Sequence, residues 1–194
     1  MEFTTIAVDP GKHSGIACLQ GDRLVCAMAV TCENNDPFAR SKALETCLGM
    51  AKTSAACVTF VCEAQFFRAN PRGQRKRGEV FKAATGPAES ATAWETIARL
   101  QGCQVIDRVP HQTWRSTFGL AGLRDGDVDR AAVQVASERF AELPRNRAGN
   151  VSHDVASAVL LGLHVHVHRY FDAGLDVPPG LGQFQTARRR RRVR

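Results

Sequence analysis

Three acidic residues stand at the ends of the most apolar runs in this chain. Asp9 ends an apolar run and precedes a Pro-Gly turn, Glu63 ends the run 57–62, and Asp154 opens the stretch 155–163. A carboxylate beside a buried element is costly unless a cation or hydrogen-bond donors compensate it. Hard divalent cations such as Mg²⁺ prefer such oxygen ligands. The pattern therefore predicts a fold that gathers the three carboxylates at one metal site.

The apolar periodicity predicts the element order βββ-α-β-α-β-α-α. Strands are expected over 3–8, 15–19, 23–30, 57–62 and 105–109, and helices over 38–53, from Pro87 to Leu100, over 127–140 and over 154–170, with a helical turn at Trp114. The first three strands are expected to pair antiparallel. Because the strand 57–62 follows a helix, it should lie parallel to the first strand and beside it. This order describes an α/β fold, a mixed five-stranded sheet flanked by helices.

The length and composition indicate one folded domain. The chain has 194 residues, of which 44% are apolar, enough for a substantial core. We expect a domain over 1–172, followed by a basic, flexible tail over 173–194. No run approaches the ~18 uninterrupted apolar residues of a membrane span, so no membrane partner is expected.

The N-terminus and the cysteines predict a cytoplasmic protein. The first residues contain no basic region before an apolar run, and Asp9 interrupts that run, which argues against a signal peptide. The seven cysteines are an odd number without a CxxC pair. They are expected to be reduced, buried thiols, and their spacing does not suit a zinc site.

The positive charge is concentrated in two clusters. The net charge is +7. One cluster contains Arg68, Arg72, Arg75, Lys76 and Arg77, and the other contains the arginines of 188–194. Such clusters are typical of proteins that bind nucleic acid, because phosphate contacts release counterions. For the C-terminal arginines a solvated surface is the alternative. Together with the acids, the clusters favour a nuclease in which metal ions drive phosphodiester cleavage.

Three segments of the chain resemble a known family. They are Ile6-Ala7-Val8-Asp9-Pro10-Gly11 with Ser14-Gly15, then the segment 61–70 around Glu63, and Leu143-Pro144 followed by His153-Asp154-Val155-Ala156-Ser157-Ala158. In this order and spacing they resemble the motifs of the RuvC family of Holliday junction resolvases, which have an RNase H-like fold. The resemblance extends over residues 3–168.

The resemblance implies a Mg²⁺-dependent, structure-selective endonuclease that resolves Holliday junctions or other branched DNA by paired nicks. It implies two Mg²⁺ ions per site with Mn²⁺ as a substitute, no organic cofactor, and a homodimer. Asp9 would bridge both ions, and Glu63 and Asp154 would each hold one. In one alignment Ser157 falls where the family has its fourth acid. In the other, Asp154 is itself the final acid, with His153 or Ser152 beside it. His153 is a candidate metal ligand or proton donor.

The resemblance also assigns the DNA contacts. Lys12 or His13 would contact the scissile phosphate, and Phe66 or Phe67 would stack on unpaired bases. The basic segment 68–77 would engage the junction, and Arg115 and Arg124 would hold phosphates.

Other interpretations remain open. Asp9 also suits an Asx turn, and Asp154 suits a helix N-cap. The absence of a clear fourth acid leaves open a catalytically weak or inactive module that binds branched DNA. An RNase H-like nuclease acting on another substrate, such as an RNA–DNA hybrid, is a third possibility.

Overall fold

The computed structural model describes residues 2–33, 36–64 and 77–178. These residues form six strands and five helices: β1 (Thr4–Asp9), β2 (His13–Gln20), β3 (Arg23–Thr31), α1 (Pro37–Ala51), β4 (Val58–Ala64), α2 (Arg77–Leu100), β5 (Gln104–Val105), β6 (Val109–Pro110), α3 (His111–Thr117), α4 (Asp125–Arg139) and α5 (His153–Asp172). A short 3₁₀ turn, Ala55–Cys57, precedes β4.

The sheet is mixed, with the strand order β3-β2-β1-β4-β5. β6 also pairs with β4, at the end of β4 that contains Glu63 and Ala64. β2 pairs antiparallel with both β1 and β3, whereas β4 is parallel to β1. β5 and β6 are also parallel to β4. The predicted α/β fold with a mixed sheet is confirmed, including the parallel pairing of the first strand with the strand that follows α1.

Helices cover both faces of the sheet, because successive side chains of a strand point to opposite faces. Ile6, Val8 and Phe60 belong to the core under α1 and α2. Ala7 and Val61 belong to the second core, which packs against α3, α4 and α5. The molecule is therefore a three-layer α/β/α structure.

Helix α5 lies unusually close to the sheet. A Cβ at Gly162 would come within 2.5 Å of Leu19 Cδ1 and 3.2 Å of Ala7 Cβ. A glycine facing an alanine lets the helix backbone approach β1 and β2 closely. This approach determines where the first turn of α5 meets the sheet.

Two segments differ from the sequence-based expectation. Helix α2 begins at Arg77 and continues through Pro87, the expected start. Proline in a helix interior costs about 3 kcal/mol, so local rules favour a start at Pro87, and the buried residues Ala91, Trp94 and Ala98 all follow it. The single strand expected over 105–109 is divided into β5 and β6, so its residues pair with β4 at two separate places.

None of the helices in the described part of the chain has the length and apolar character needed to cross a membrane.

His166 is fully buried and links α5 to the β1–β2 side of the sheet. Its Nε2 lies 2.8 Å from the carbonyl oxygen of Gly21, and its Nδ1 lies 2.9 Å from Thr5 Oγ1. Since a carbonyl only accepts, Nε2 carries the proton and Nδ1 accepts from the threonine hydroxyl. Burial, with a smaller contribution from the charge of Arg169, lowers the pKa of His166 to about 4.

This buried histidine predicts a loss of stability in mild acid. The unfolded histidine binds a proton at higher pH than the folded one, so stability decreases as the pH falls from about 6.5 towards about 4. Between pH 7 and pH 5 we expect His166 to remove about 2 kcal/mol from the free energy of unfolding. Urea denaturation of wild type and His166→Gln at both pH values measures the difference. The variant is expected to show a decrease smaller by this amount, and an equal decrease in both proteins contradicts the assignment.

Candidate active site

Asp9 and Glu63 lie side by side at one edge of the sheet. Val8 is paired with Cys62 in the parallel register of β1 and β4, and each acid is the next residue of its strand. The Glu63 carboxyl group lies close enough to Asp9 to raise the pKa of Asp9 through charge and hydrogen bonding. Glu63 is buried, with 6% of its surface exposed. The strand order predicted that Asp9 and Glu63 would be neighbours, and their side chains lie close together as well.

Asp154 reaches this edge through the close approach of α5 to β2. Gly15 is the antiparallel partner of Asp9. A Cβ at Gly15 would lie 1.9 Å from the carbonyl oxygen of Asp154 and 2.6 Å from the backbone nitrogen of Val155. The first turn of α5 therefore rests directly on the residue opposite Asp9.

The site concentrates negative charge around Asp9. Burial raises the pKa of Asp9 well above its usual value, and the neighbouring Glu63 and Asp154 raise it further. The charge of Arg115 acts in the opposite direction and is the weakest of these influences. Burial and the two neighbouring acids thus act together to disfavour the charged form of Asp9.

Trp114 orients Glu63, a contact that the sequence did not reveal. The Trp114 side chain is fully buried, and its Nε1 donates a hydrogen bond to Glu63 Oε1 at 3.1 Å. Sequence reasoning placed Trp114 only in helix packing. The available signal was that a buried indole N–H requires an acceptor, and Glu63 is a buried acceptor.

Arg115 brings positive charge to the acidic edge. Its guanidinium carbon lies 5.5 Å from the centre of the Trp114 ring. It also lines a cleft of about 440 Å³ together with His111, Gln112, Val128 and the segment 120–123. Arg115, the predicted phosphate contact, therefore lies within electrostatic reach of Asp9 and lines a cleft.

The Asp154 carboxylate interacts with the two residues that precede it at the start of α5. Ser152 Oγ donates to Asp154 Oδ2 at 3.2 Å, and His153 Nε2 lies 3.1 Å from Asp154 Oδ1. The His153 side chain is half-exposed, whereas Ser157, one turn further along α5, is buried. The structure thus places His153 in contact with the third acid.

A buried network supports the turn that follows Asp9. Ser14 Oγ donates to the Gly11 carbonyl oxygen at 3.0 Å, and Ser90 Oγ donates to the same oxygen at 3.2 Å. Trp94 Nε1 donates to Ser14 Oγ at 3.2 Å, and the buried Arg40 donates to Ser90 Oγ at 3.2 Å. Residues of α1, β2 and α2 therefore fix the conformation of the turn beside the acids.

The remaining predicted DNA contacts are dispersed or fall outside the described residues. Lys12 is exposed in the turn between β1 and β2, and Arg124 is exposed immediately before α4. Arg77 is the first residue of α2. The predictions for Phe66, Phe67, Arg68, Arg72, Arg75 and Lys76 lie outside the described residues.

The donor set suits a hard cation chemically. It consists of carboxylate oxygens, the ligands that Mg²⁺ prefers. Within residues 2–33, 36–64 and 77–178, no three His, Cys, Asp or Glu side chains are already grouped as ligands of one ion. Asp9 and Glu63 are in contact, whereas Asp154 is hydrogen-bonded to Ser152. The ligand set therefore stays a prediction.

The sheet order and the acidic edge define an RNase H-like α/β protein. The chain has the fold of RuvC from Thermus thermophilus: the RuvC structure matches with a TM-score of 0.54 and 15% identity, over 91% of this chain and 99% of that one. RuvC from the same organism in complex with Holliday junction substrate matches with a TM-score of 0.55 and 17% identity, over 89% and 96%. At this identity the likeness shows the fold. No protein-family model and no curated protein matches the sequence.

Proposed function

We propose that this protein is a Mg²⁺-dependent, structure-selective endonuclease of the RuvC type, which resolves Holliday junctions or other branched DNA by paired nicks. The observation that carries the proposal is the adjacent pair of Asp9 and Glu63 at the sheet edge of this fold, with Asp154 close enough to raise the pKa of Asp9. A buried carboxyl group whose pKa is raised by neighbouring acids is typical of functional sites, and a bound cation would offset the repulsion between the acids.

In this proposal Asp9, Glu63 and Asp154 hold two Mg²⁺ ions, for which Mn²⁺ can substitute. The ions would activate water and stabilise the leaving 3′-oxygen. The protein's own contribution is orientation: Trp114 holds Glu63 through Oε1, and Gly15 allows Asp154 to reach Asp9.

Further residues have supporting roles in the proposal. His153 contacts Asp154 and would act as a ligand or proton donor, with Ser157 as a weaker oxygen donor. Arg115, beside the acids, would hold the phosphate of the cleaved strand. Lys12 and Arg124, together with Phe66, Phe67 and the basic residues of 68–77, would bind the junction arms.

Paired nicking requires two active sites, so the proposal includes a homodimer. A two-fold axis would place both acidic edges against one junction. The catalytic domain would comprise residues 1–172, with the basic segment 173–194 as an additional contact to DNA. A cytoplasmic location is proposed together with this function.

A second candidate is a catalytically weak or inactive protein that binds branched DNA. It is favoured by Ser157, a neutral residue where the family has its fourth acid, and by the hydrogen bond that directs Asp154 towards Ser152. A neutral hydroxyl binds Mg²⁺ weakly, so the two metal ions would be held by three acids only.

A cleavage assay separates these candidates. Purified protein is incubated with a labelled four-way junction, a flap, an RNA–DNA hybrid and a linear duplex, each with Mg²⁺, Mn²⁺ or EDTA. We expect paired nicks in the four-way junction, in Mg²⁺ and in Mn²⁺, and none in EDTA. Junction binding without product supports the second candidate, and preferential cleavage of the hybrid supports an RNase H-like activity.

A further inference from the structure

Three thiols meet in the core under α1. Cys18 and Cys26 are paired residues of the antiparallel strands β2 and β3. Helix α1 adds Cys47, whose Sγ lies 3.2 Å from Cys26 Sγ. Cys18 and Cys47 are fully buried, whereas Cys26 is partly exposed. The position of Cys26 gives the cluster one thiol that solvent can reach.

The same geometry activates Cys26. Hydrogen bonding with the Cys18 and Cys47 thiols lowers the pKa of Cys26 below its usual value. The pKa of Cys47 is raised instead, because of its hydrogen bond with Cys26 and its burial. A thiolate is the reactive form of cysteine, so the partly exposed member of the cluster is also the nucleophilic one.

We propose that Cys26 and Cys47 form an oxidation site, in which Cys26 reacts with hydroperoxides and Cys47 then closes a disulfide between β3 and α1. This inference is independent of the proposed nuclease activity, since it concerns the opposite face of the sheet from α5.

The reaction is balanced with hydrogen peroxide as the oxidant. The Cys26 thiolate attacks one peroxide oxygen, the O–O bond breaks, and hydroxide leaves, which gives a sulfenic acid. The Cys47 thiol loses its proton and attacks the Cys26 sulfur, and the sulfenic hydroxyl leaves as water. Overall, two thiols and one peroxide give one disulfide and two waters.

Cys57 provides an internal comparison. It is the exposed cysteine of the chain and lies in the 3₁₀ turn before β4. If exposure alone controlled reactivity, Cys57 would react before Cys26. If the thiol cluster controls it, Cys26 reacts first despite its lower exposure.

The first test compares alkylation rates in the reduced wild-type protein at pH 6, with iodoacetamide and peptide mass spectrometry. We expect Cys26 to be labelled at least about tenfold faster than Cys57, because the lowered pKa of Cys26 gives it a large thiolate fraction at this pH. Faster labelling of Cys57 overturns the proposal. Wild type is used, so the result does not depend on a variant folding.

The second test maps the disulfide. After exposure to hydrogen peroxide and alkylation of the remaining thiols, trypsin places Cys18, Cys26 and Cys47 in the separate peptides 13–23, 24–40 and 43–52. We expect a link between 24–40 and 43–52 that dithiothreitol reverses. Cys26→Ser should remove the link, and Cys57→Ser and Cys32→Ser should leave its yield unchanged. A link between 13–23 and 24–40, or no link, overturns the assignment of Cys47.

Discussion

Replacement of Asp9 by Asn is expected to reduce junction cleavage by about 1000-fold or more, equivalent to about 4 kcal/mol of transition-state stabilisation. The amide keeps the shape of the carboxyl group but loses the negative charge that attracts a divalent cation. Junction binding should remain within a few-fold of wild type, because the basic residues are unchanged. Cleavage rates and electrophoretic binding assays on the same junction measure the two effects, and a variant that cuts at the wild-type rate shows that Asp9 is not catalytic.

The same variant is expected to be more stable than wild type when no metal is present. The folded protein keeps a proton on Asp9 at pH values where the unfolded chain has released it, so this carboxyl destabilises the fold as the pH rises above about 3.8. The amide of Asp9→Asn would carry no charge and could donate to Glu63. At pH 7.5 in EDTA we expect a higher Tm for Asp9→Asn than for wild type, and no gain at pH 4 or below.

Metal binding and a matched control complete this experiment. Mg²⁺ should raise the Tm of wild type, because a ligand that binds only the folded state stabilises it, and should not raise the Tm of Asp9→Asn. Asp22→Asn removes an acid from the exposed turn between β2 and β3, and it should change neither cleavage nor the response to Mg²⁺. If Asp9→Asn is less stable than wild type in EDTA at pH 7.5, the burial of Asp9 beside Glu63 does not destabilise the folded protein.

The part of the site that depends on strand order could be predicted from the sequence. The helix 37–51, which precedes β4, favours a β4 that lies parallel to β1 and beside it, and parallel neighbours end at the same edge of the sheet. Asp9 and Glu63, each at the end of its run, were therefore expected to lie close together. Neither conclusion required knowledge of side-chain packing.

The contacts that depend on packing between distant segments could not be predicted. Trp114 reaches Glu63 across 51 positions of the chain, and no local pattern indicates which acceptor an indole N–H will meet. The burial of Arg40 could not be predicted either, because a charged residue of a helix is expected at the surface. It is fully buried because Ser90 accepts its hydrogen bond and the Trp94 ring lies beside its guanidinium group.

Proline rules account for the misplaced start of α2. Pro87 is a favourable first residue of a helix and an unfavourable interior one, so local rules favour a start there. The structure continues the helix back to Arg77. Arg77, which the sequence placed in the basic segment 68–77, is consequently the first residue of the helix that also contains Ser90.

The position of the third acid depends on one small residue, which gives the second large prediction. Gly15→Ala places a methyl group where the structure has the backbone of Asp154 and Val155, at separations of 1.9 Å and 2.6 Å. Backbone atoms cannot rotate away as a side chain can, so α5 must move from the sheet. We expect a loss of about 3 kcal/mol or more in stability, which corresponds to about 6–12 °C in Tm for a chain of this size.

The displacement of α5 should reduce cleavage beyond what the loss of stability explains. Misplacing a catalytic group by about 1 Å can cost about 100-fold in rate, so Gly15→Ala is expected to cut junctions at least that much more slowly at a temperature where circular dichroism shows it folded. Gly49→Ala is the matched control, because a Cβ there meets nothing within 4 Å and the residue lies in α1. That variant should gain up to about 1 kcal/mol from helix propensity and cleave at the wild-type rate. If Gly15→Ala melts and cleaves junctions like wild type, α5 does not rest on β2 at Gly15. The position of Asp154 beside the acid pair then depends on other contacts.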